Sequence, residues 1–134
     1  MKTIGQLYDF FKEDKFAMGI GAVIEEVDEN SALISVKLTP EHMNGLGVPQ
    51  GGLVYTIADF AFAVASNAHE NSPDYVTLQS SMNFIRSSRG EKLFARATAV
   101  HKGRTVAVYN ATVYDDLGKT VASASFTGFA TKQV

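Results

Sequence analysis

The chain has 134 residues, a formal net charge of −2, 46% hydrophobic and 19% charged residues, and no cysteine. That length suits one domain, spanning residues 1–134, with a real core, and that composition excludes intrinsic disorder. The lack of cysteine excludes a disulfide scaffold, a thiolate nucleophile and a Cys-ligated metal. Charge is uneven along the chain: residues 1–74 carry 4 Lys/Arg against 11 Asp/Glu, and residues 75–134 carry 8 against 3. A modestly basic second half suits an anionic small ligand but is too scattered for nucleic acid.

In chain order, Thr3-Ile-Gly-Gln6 fits a capping box, and the apolar residues after it predict a short amphipathic helix over about residues 3–14. This N-terminus carries acids and lacks the apolar core of a signal peptide. Phe16–Val27 and Ser31–Leu38 read as two strands around a turn at Asp28–Asn30. Asn44–Gln50 is a Gly/Pro-interrupted loop. Gly52–Ala68 then reads as a long helix, apolar nearly all round and so expected to be buried. At about 17 residues it falls short of the ~20 needed to span a bilayer, so no membrane role is expected. Tyr75–Arg86, Leu93–His101, Thr105–Tyr114 and Thr120–Ala130 alternate or are rich in β-branched residues, and short breaks between them favour antiparallel hairpins. The expected class is α+β: about six antiparallel strands wrapped around one central helix.

One acid stands out. Asp59 lies in the middle of that apolar helix, and the positions three and four residues away hold Tyr55, Thr56, Phe62 and Ala63, none of them basic. A buried unpaired carboxylate is costly or shifts its pKa until it is neutral. Either the wider fold supplies a partner or the acid serves chemistry. Upstream, Gly51 and Gly52 fall where the helix begins. The first amides of a helix have no intrahelical partner, the dipole makes that end positive, and glycine lets a substrate come close, so an oxyanion could be held there. The same glycines could equally serve close packing or a tight turn.

Asp59 follows Gly51 by eight residues, roughly 12 Å along a helix axis. A reacting carbon needs its base and its oxyanion donor each within about 3 Å. If both groups are catalytic they come from different subunits with antiparallel helices, which predicts a dimer with two interfacial sites. Gln50 could donate its amide to a carbonyl, Asn44 could hold the loop, and Thr77 could place a water beside Asp59. Arg86 and Arg89 are candidate phosphate contacts. Tyr55, Phe60, Phe62, Met82 and Phe84 are candidates for an acyl pocket, though aromatic residues at such positions also build cores. His42, His69 and His101 are too scattered for a metal cluster and read as surface residues.

The pattern Asn44, Gln50-Gly51-Gly52, Asp59, together with the later meander SMNFIRSSRGEKLFARATAVHKGRTVAVYNATVYDDLGK, resembles the hot-dog fold thioesterases of the phenylacetic-acid-degradation type over about Ile20 to Ala130. The resemblance implies a homodimer, commonly paired into a tetramer, that hydrolyses acyl-CoA to acid and CoA without metal or cofactor, CoA being part of the substrate. The cytoplasmic location expected of the chain rests instead on the lack of a signal-peptide core and of a spanning helix. It casts Asp59 as base or nucleophile, the Gly51 amide as oxyanion donor, Asn44 as the loop Asn, and Thr77 as the residue near the attacking water. Gly52, Arg86, Arg89 and Phe84 are the candidate substrate contacts. Two departures stand out: Gln50 replaces the usual His, and Ile85–Ser88 stands where a Pro is common. A non-catalytic acyl-CoA-binding protein and a hot-dog hydratase are the alternatives.

Overall fold

A computed structural model describes residues 1–131. Helix α1 (Ile4–Phe10) is capped as the sequence predicts: Gln6 N–H donates to Thr3 Oγ1 and Thr3 N–H to Gln6 Oε1. It ends sooner than the expected residue 14. The stretch Phe16–Val27 is not one strand. Asp14 accepts from Ala17 N–H at 3.1 Å and starts a five-residue helix α2 (Lys15–Gly19), and only after Gly21, at φ 85°, does strand β1 (Val23–Val27) begin. The alternation of Phe16, Met18, Ile20, Ala22 and Ile24 imitates a strand, but an Asp cap outweighs it locally.

Strand β2 (Ser31–Lys37) returns from a turn clasped by Asp28, whose carboxylate accepts from Asn30 N–H, Ser31 N–H and Ser31 Oγ. After the central helix α3 (Gly51–Ser66) come β3 (Asp74–Phe84), β4 (Lys92–Lys102), β5 (Val106–Asp115) and β6 (Thr120–Thr131). All pairs are antiparallel, in the order β1-β2-β4-β5-β6-β3. The eleven-residue β3 is therefore an edge strand, and it exposes Val76 and Leu78.

The sheet curls around α3, which packs most heavily on β4 and β2. Ile57, Ala58, Ala61, Val64 and Ala65 are fully buried. Phe62 stacks on Phe126 at 5.5 Å and meets Tyr109 edge-on at 5.4 Å, and burying such a ring contributes about 1.5–3 kcal/mol. The packing is tight enough that a Cβ on Gly128 would lie 2.5 Å from Phe62 Cζ, so that strand position needs glycine. The helix does not bury every face: Gly52, Tyr55, Thr56, Asp59 and Ala63, at i, i+3, i+4, i+7 and i+11, form a partly exposed stripe.

Candidate active site at the start of the central helix

The loop before α3 is built by Asn44. Its Oδ1 accepts from Leu46 N–H at 2.9 Å and Val48 N–H at 3.3 Å, and its backbone N–H donates to Val48 O at 2.7 Å. The loop closes through Gly47 at φ 75°, a left-handed turn that suits glycine. Asn44 is thus a loop clasp, one of the roles expected of it. Gln50 is the N-cap of α3. Its backbone carbonyl accepts from Leu53 and Val54 N–H, and its side-chain Oε1 accepts from Gly51 N–H at 3.0 Å. The candidate oxyanion donor therefore already holds a carbonyl oxygen, that of the neighbouring glutamine. Gln50 was expected to donate its amide; here its oxygen accepts instead, because an i to i+1 contact satisfies an otherwise orphaned amide.

On one side of this helix start opens a cleft of about 290 Å³ lined by Asn44, Gly51, Phe84, Arg86 and Ser87 among others. The Phe84 ring lies 3.4 Å from where a Gly51 Cβ would sit, so glycine there keeps the amide approachable. Arg86 is exposed and has no ion pair among the described residues. Its backbone is fixed by Arg86 N–H donating to Val121 O at 3.2 Å. Arg89 is exposed but does not line the cleft, so of the two predicted arginines only Arg86 joins the site. Within Ile85–Ser88, which departs from the proline common in the resembled family, Ser88 donates to buried Asp115 Oδ2 at 2.8 Å and accepts from Gly90 N–H, a side-chain clasp holding the Ile85–Gly90 turn.

On the other side lies a second cleft of about 410 Å³, between α2 and the start of α3, lined by Phe16, Ile20, His42, Gln50, Leu53 and Tyr55 among others. His42 is not the free surface histidine the sequence suggested. Thr39 N–H donates to Nδ1 at 3.0 Å, which leaves the proton on Nε2 to donate to Ile20 O at 2.9 Å. Its backbone carbonyl accepts from Gln50 N–H at 2.9 Å. One histidine thus ties together β2, α2 and the cap of α3. A bulky loop histidine five residues after β2 was visible in the sequence, but its two partners were not.

Of the candidate pocket aromatics, Phe60 and Phe62 belong to the core, at 2% and 1% exposure, and Met82 packs against it. Tyr55 lines the second cleft and Phe84 the first.

Asp59 sits midway along the half-exposed stripe, and Thr77 Oγ1 donates to its Oδ1 at 2.7 Å. Thr77 was expected to reach it through water; the bond is direct, and Oδ2 has no hydrogen bond to the described residues. Burial pushes the carboxyl above its ordinary value, the Thr77 bond opposes this, and the Asp14 carboxylate adds to it. The partner that the helix itself lacks is therefore a neutral hydroxyl from β3, which holds the acid without neutralising it. No group of three or more His, Cys, Asp or Glu side chains suits a metal among the described residues, and no helix there is long and apolar enough to cross a membrane.

Comparison with known proteins bears on this geometry. The sequence profile of the Thioesterase superfamily matches residues 46–122. A "Putative esterase" of Archaeoglobus fulgidus is 33% identical over 118 residues, covering 87% of this chain and 75% of that protein. The "Acyl-coenzyme A thioesterase PaaI" of Escherichia coli is 30% identical over 113 residues, covering 84% and 79%. Among solved structures, the E. coli PaaI protein from the phenylacetic acid degradation operon superposes with a TM-score of 0.89 at 26% identity, over 98% of this chain and 95% of that one. The Streptococcus mutans protein smu.793, solved bound to acetyl CoA, superposes with a TM-score of 0.78 at 30% identity, over 84% and 90%.

Proposed function

The chain belongs to the thioesterase superfamily, has its hot-dog fold and is a thioester hydrolase; we propose that its substrates are CoA esters of aryl or medium-chain acids, and that each active site is shared by two protomers. The observation that carries this reading is the layout of α3. Its first residue, Gly51, lines a cleft containing Arg86, while its only acid, Asp59, lies eight residues on, held by Thr77. Roughly 12 Å of helix separates the two, too far for one thioester carbon. Antiparallel pairing of two α3 helices would bring the acid of one protomer to the Gly51 of the other.

The edge strand β3 supports such a pairing. A long edge with exposed apolar side chains such as Val76 and Leu78 is an aggregation hazard unless a neighbour covers it. Self-pairing of β3 across a twofold axis would cover it and lay the half-exposed stripes of the two helices side by side. Pairing of such dimers into a tetramer is the further step the family resemblance suggests.

In the proposed reaction the thioester carbonyl displaces Gln50 Oε1 from Gly51 N–H. Asp59 of the facing protomer, steadied by Thr77, takes a proton from water as the oxygen adds to the carbonyl carbon. The oxyanion rests on Gly51 N–H, and the NH₂ of the displaced Gln50 turns towards it. Collapse breaks the carbon–sulfur bond, and the CoA thiolate leaves with a proton returned by Asp59. Arg86 meets CoA phosphate, Phe84 walls the first cleft, Gly52 leaves room beside the thioester, and Asn44 keeps the loop in place. CoA enters only as part of the substrate, and the proposed reaction is a cytoplasmic one that uses neither metal nor cofactor. A single oxyanion donor of this kind contributes about 3–4 kcal/mol to the transition state.

Complementation tests the shared site. Asp59→Asn and Gly51→Val, each inactive alone towards phenylacetyl- or octanoyl-CoA, are co-expressed. A random mixture of dimers should recover about a quarter of wild-type turnover, because half the dimers carry one intact site of two. Recovery of nothing, with mixed dimers present by mass, places acid and donor in one chain and removes the reading.

A further inference from the structure

We propose that the apolar cleft between α2 and the start of α3 is the acyl subsite, and that Phe16 is the residue that sets acyl-chain selectivity. This rests on the proposed function and deepens it. The two clefts meet at the Gln50–Gly52 corner from opposite sides, and their linings differ in kind. The first sets Arg86, Ser87, Ser88 and Asn44 beside the apolar Val54 and Phe84; the second is the more apolar, with Phe16, Ile20, Leu53 and Tyr55 beside Glu41 and Thr56. A CoA thioester has the same division, an anionic nucleotide arm on the sulfur side and an apolar chain on the carbonyl side. With its carbonyl at Gly51, the arm runs towards Arg86 and the chain towards Phe16.

The second cleft, about 410 Å³, lies within the ~300–1,000 Å³ typical of small-molecule sites and is far larger than an acetyl group needs. Its outer wall is fixed. α2 is started by the Asp14 cap, and its end is tied to His42 through Ile20 O, the same histidine whose backbone holds Gln50. Movement of α2 relative to the thioester position is therefore restrained at its C-terminal end, where His42 holds Ile20 O. On that wall Phe16 is 70% exposed, although a phenylalanine gains by burial. An acyl chain in the cleft would supply the apolar surface it lacks. The occupant that fits is an unbranched chain of roughly six to ten carbons or a single aromatic ring, the range over which added methylenes in an apolar pocket change selectivity by about tenfold or more.

The test is the ratio of kcat/KM for octanoyl-CoA to that for acetyl-CoA, read by thiol release from the full chain. Wild type should favour octanoyl-CoA. Phe16→Ala should lower that ratio about tenfold while inhibition by free CoA stays within about twofold, because the CoA arm lies in the other cleft. Phe16→Trp, which narrows the rim, should move the optimum to shorter chains. An unchanged ratio in both variants overturns the proposal, as does a change of oligomeric mass in Phe16→Ala with selectivity intact, which would assign Phe16 to the contact between protomers. The non-hydrolysable thioethers S-octyl-CoA and S-ethyl-CoA separate this from the catalytic reading. If wild type released no CoA from any ester, the proposed reaction would fall, while tighter binding of S-octyl-CoA that weakens in Phe16→Ala would still uphold the subsite.

Discussion

Two aspartates in this molecule are held in opposite ways. Asp115, at the end of β5, is 2% exposed, yet burial, which alone would raise its pKa, is outweighed by the N–H groups of Lys119 and Leu117, the Ser88 hydroxyl and the Lys119 charge, so its carboxyl lies below the ordinary value. Asp59 is more open to solvent but receives one hydroxyl, and its carboxyl lies above. Burial raises both; at Asp115 the donors outweigh it, and at Asp59 a single donor does not. A turn at the sheet rim can surround a carboxylate with backbone amides, whereas the side of a helix has all its amides committed to the helix. The first arrangement suits structure, and the second leaves the proposed base with an oxygen to spare.

The largest effect should come from removing the under-satisfied acid. Asp59→Asn should lower kcat/KM for octanoyl-CoA by about 10²–10⁴-fold, the range for loss of a general base. The same variant should be more stable than wild type at pH 7 in urea unfolding. The sign follows from the raised folded-state pKa: ionising Asp59 costs the folded state, so the stability advantage of the protonated acid is complete below the ordinary value of 3.8 and is lost as pH rises through the folded value. The gain from asparagine should therefore fade as pH falls below about 4. A loss of stability at neutral pH would sink the contrast between the two acids.

Asp115→Ala should do the reverse. It strands a hydroxyl and two amides at the rim, and about 2 kcal/mol of stability should disappear at pH 7. With a depressed folded-state pKa, the contribution of Asp115 is present above the ordinary value and lost as pH falls through the folded one, so the variant and wild type should converge in acid. Turnover should change less than stability. The smallest and sharpest effects concern the groups that tune Asp59. Thr77→Val removes the bond that lowers its pKa, so the acid limb of the kcat/KM profile should move to higher pH. Asp14→Asn keeps a capping side chain while removing a negative charge, so the limb should move to lower pH. Shifts in the same direction would show that the limb does not report Asp59.

Much of this could be read from the sequence because the strongest patterns were local. The apolar run after the glycine pair gave α3 to within a residue or two, and alternating β-branched segments gave β3 to β6. Asn44, Gly51 and Arg86 were legible only as separate candidates, and the fold brings them to one cleft. What failed depended on side chains meeting across long separations. α2 was hidden by a coincidental alternation through Phe16, Met18 and Ile20, and its cap was the only contrary signal. Ser88 and Asp115 are 27 residues apart, and neither announces the other. His42 looked like a loop histidine because its partners, Thr39 N–H and Ile20 O, are backbone atoms that carry no residue signature. Phe60 and Phe62 were open to two readings because a core ring and a pocket ring have the same composition.

The glutamine oxygen resting on Gly51 N–H has a consequence for how catalytic power is distributed. In the proposed reaction that amide is already bonded when the ester arrives, so the ester exchanges one neutral carbonyl for another and gains little affinity in the Michaelis complex. The exchange becomes strongly favourable only once the ester oxygen carries negative charge, which no amide oxygen can match. On the proposed mechanism the resting contact would work as a discriminator between reactant and activated complex, weakening the grip on the first while leaving the full grip for the second.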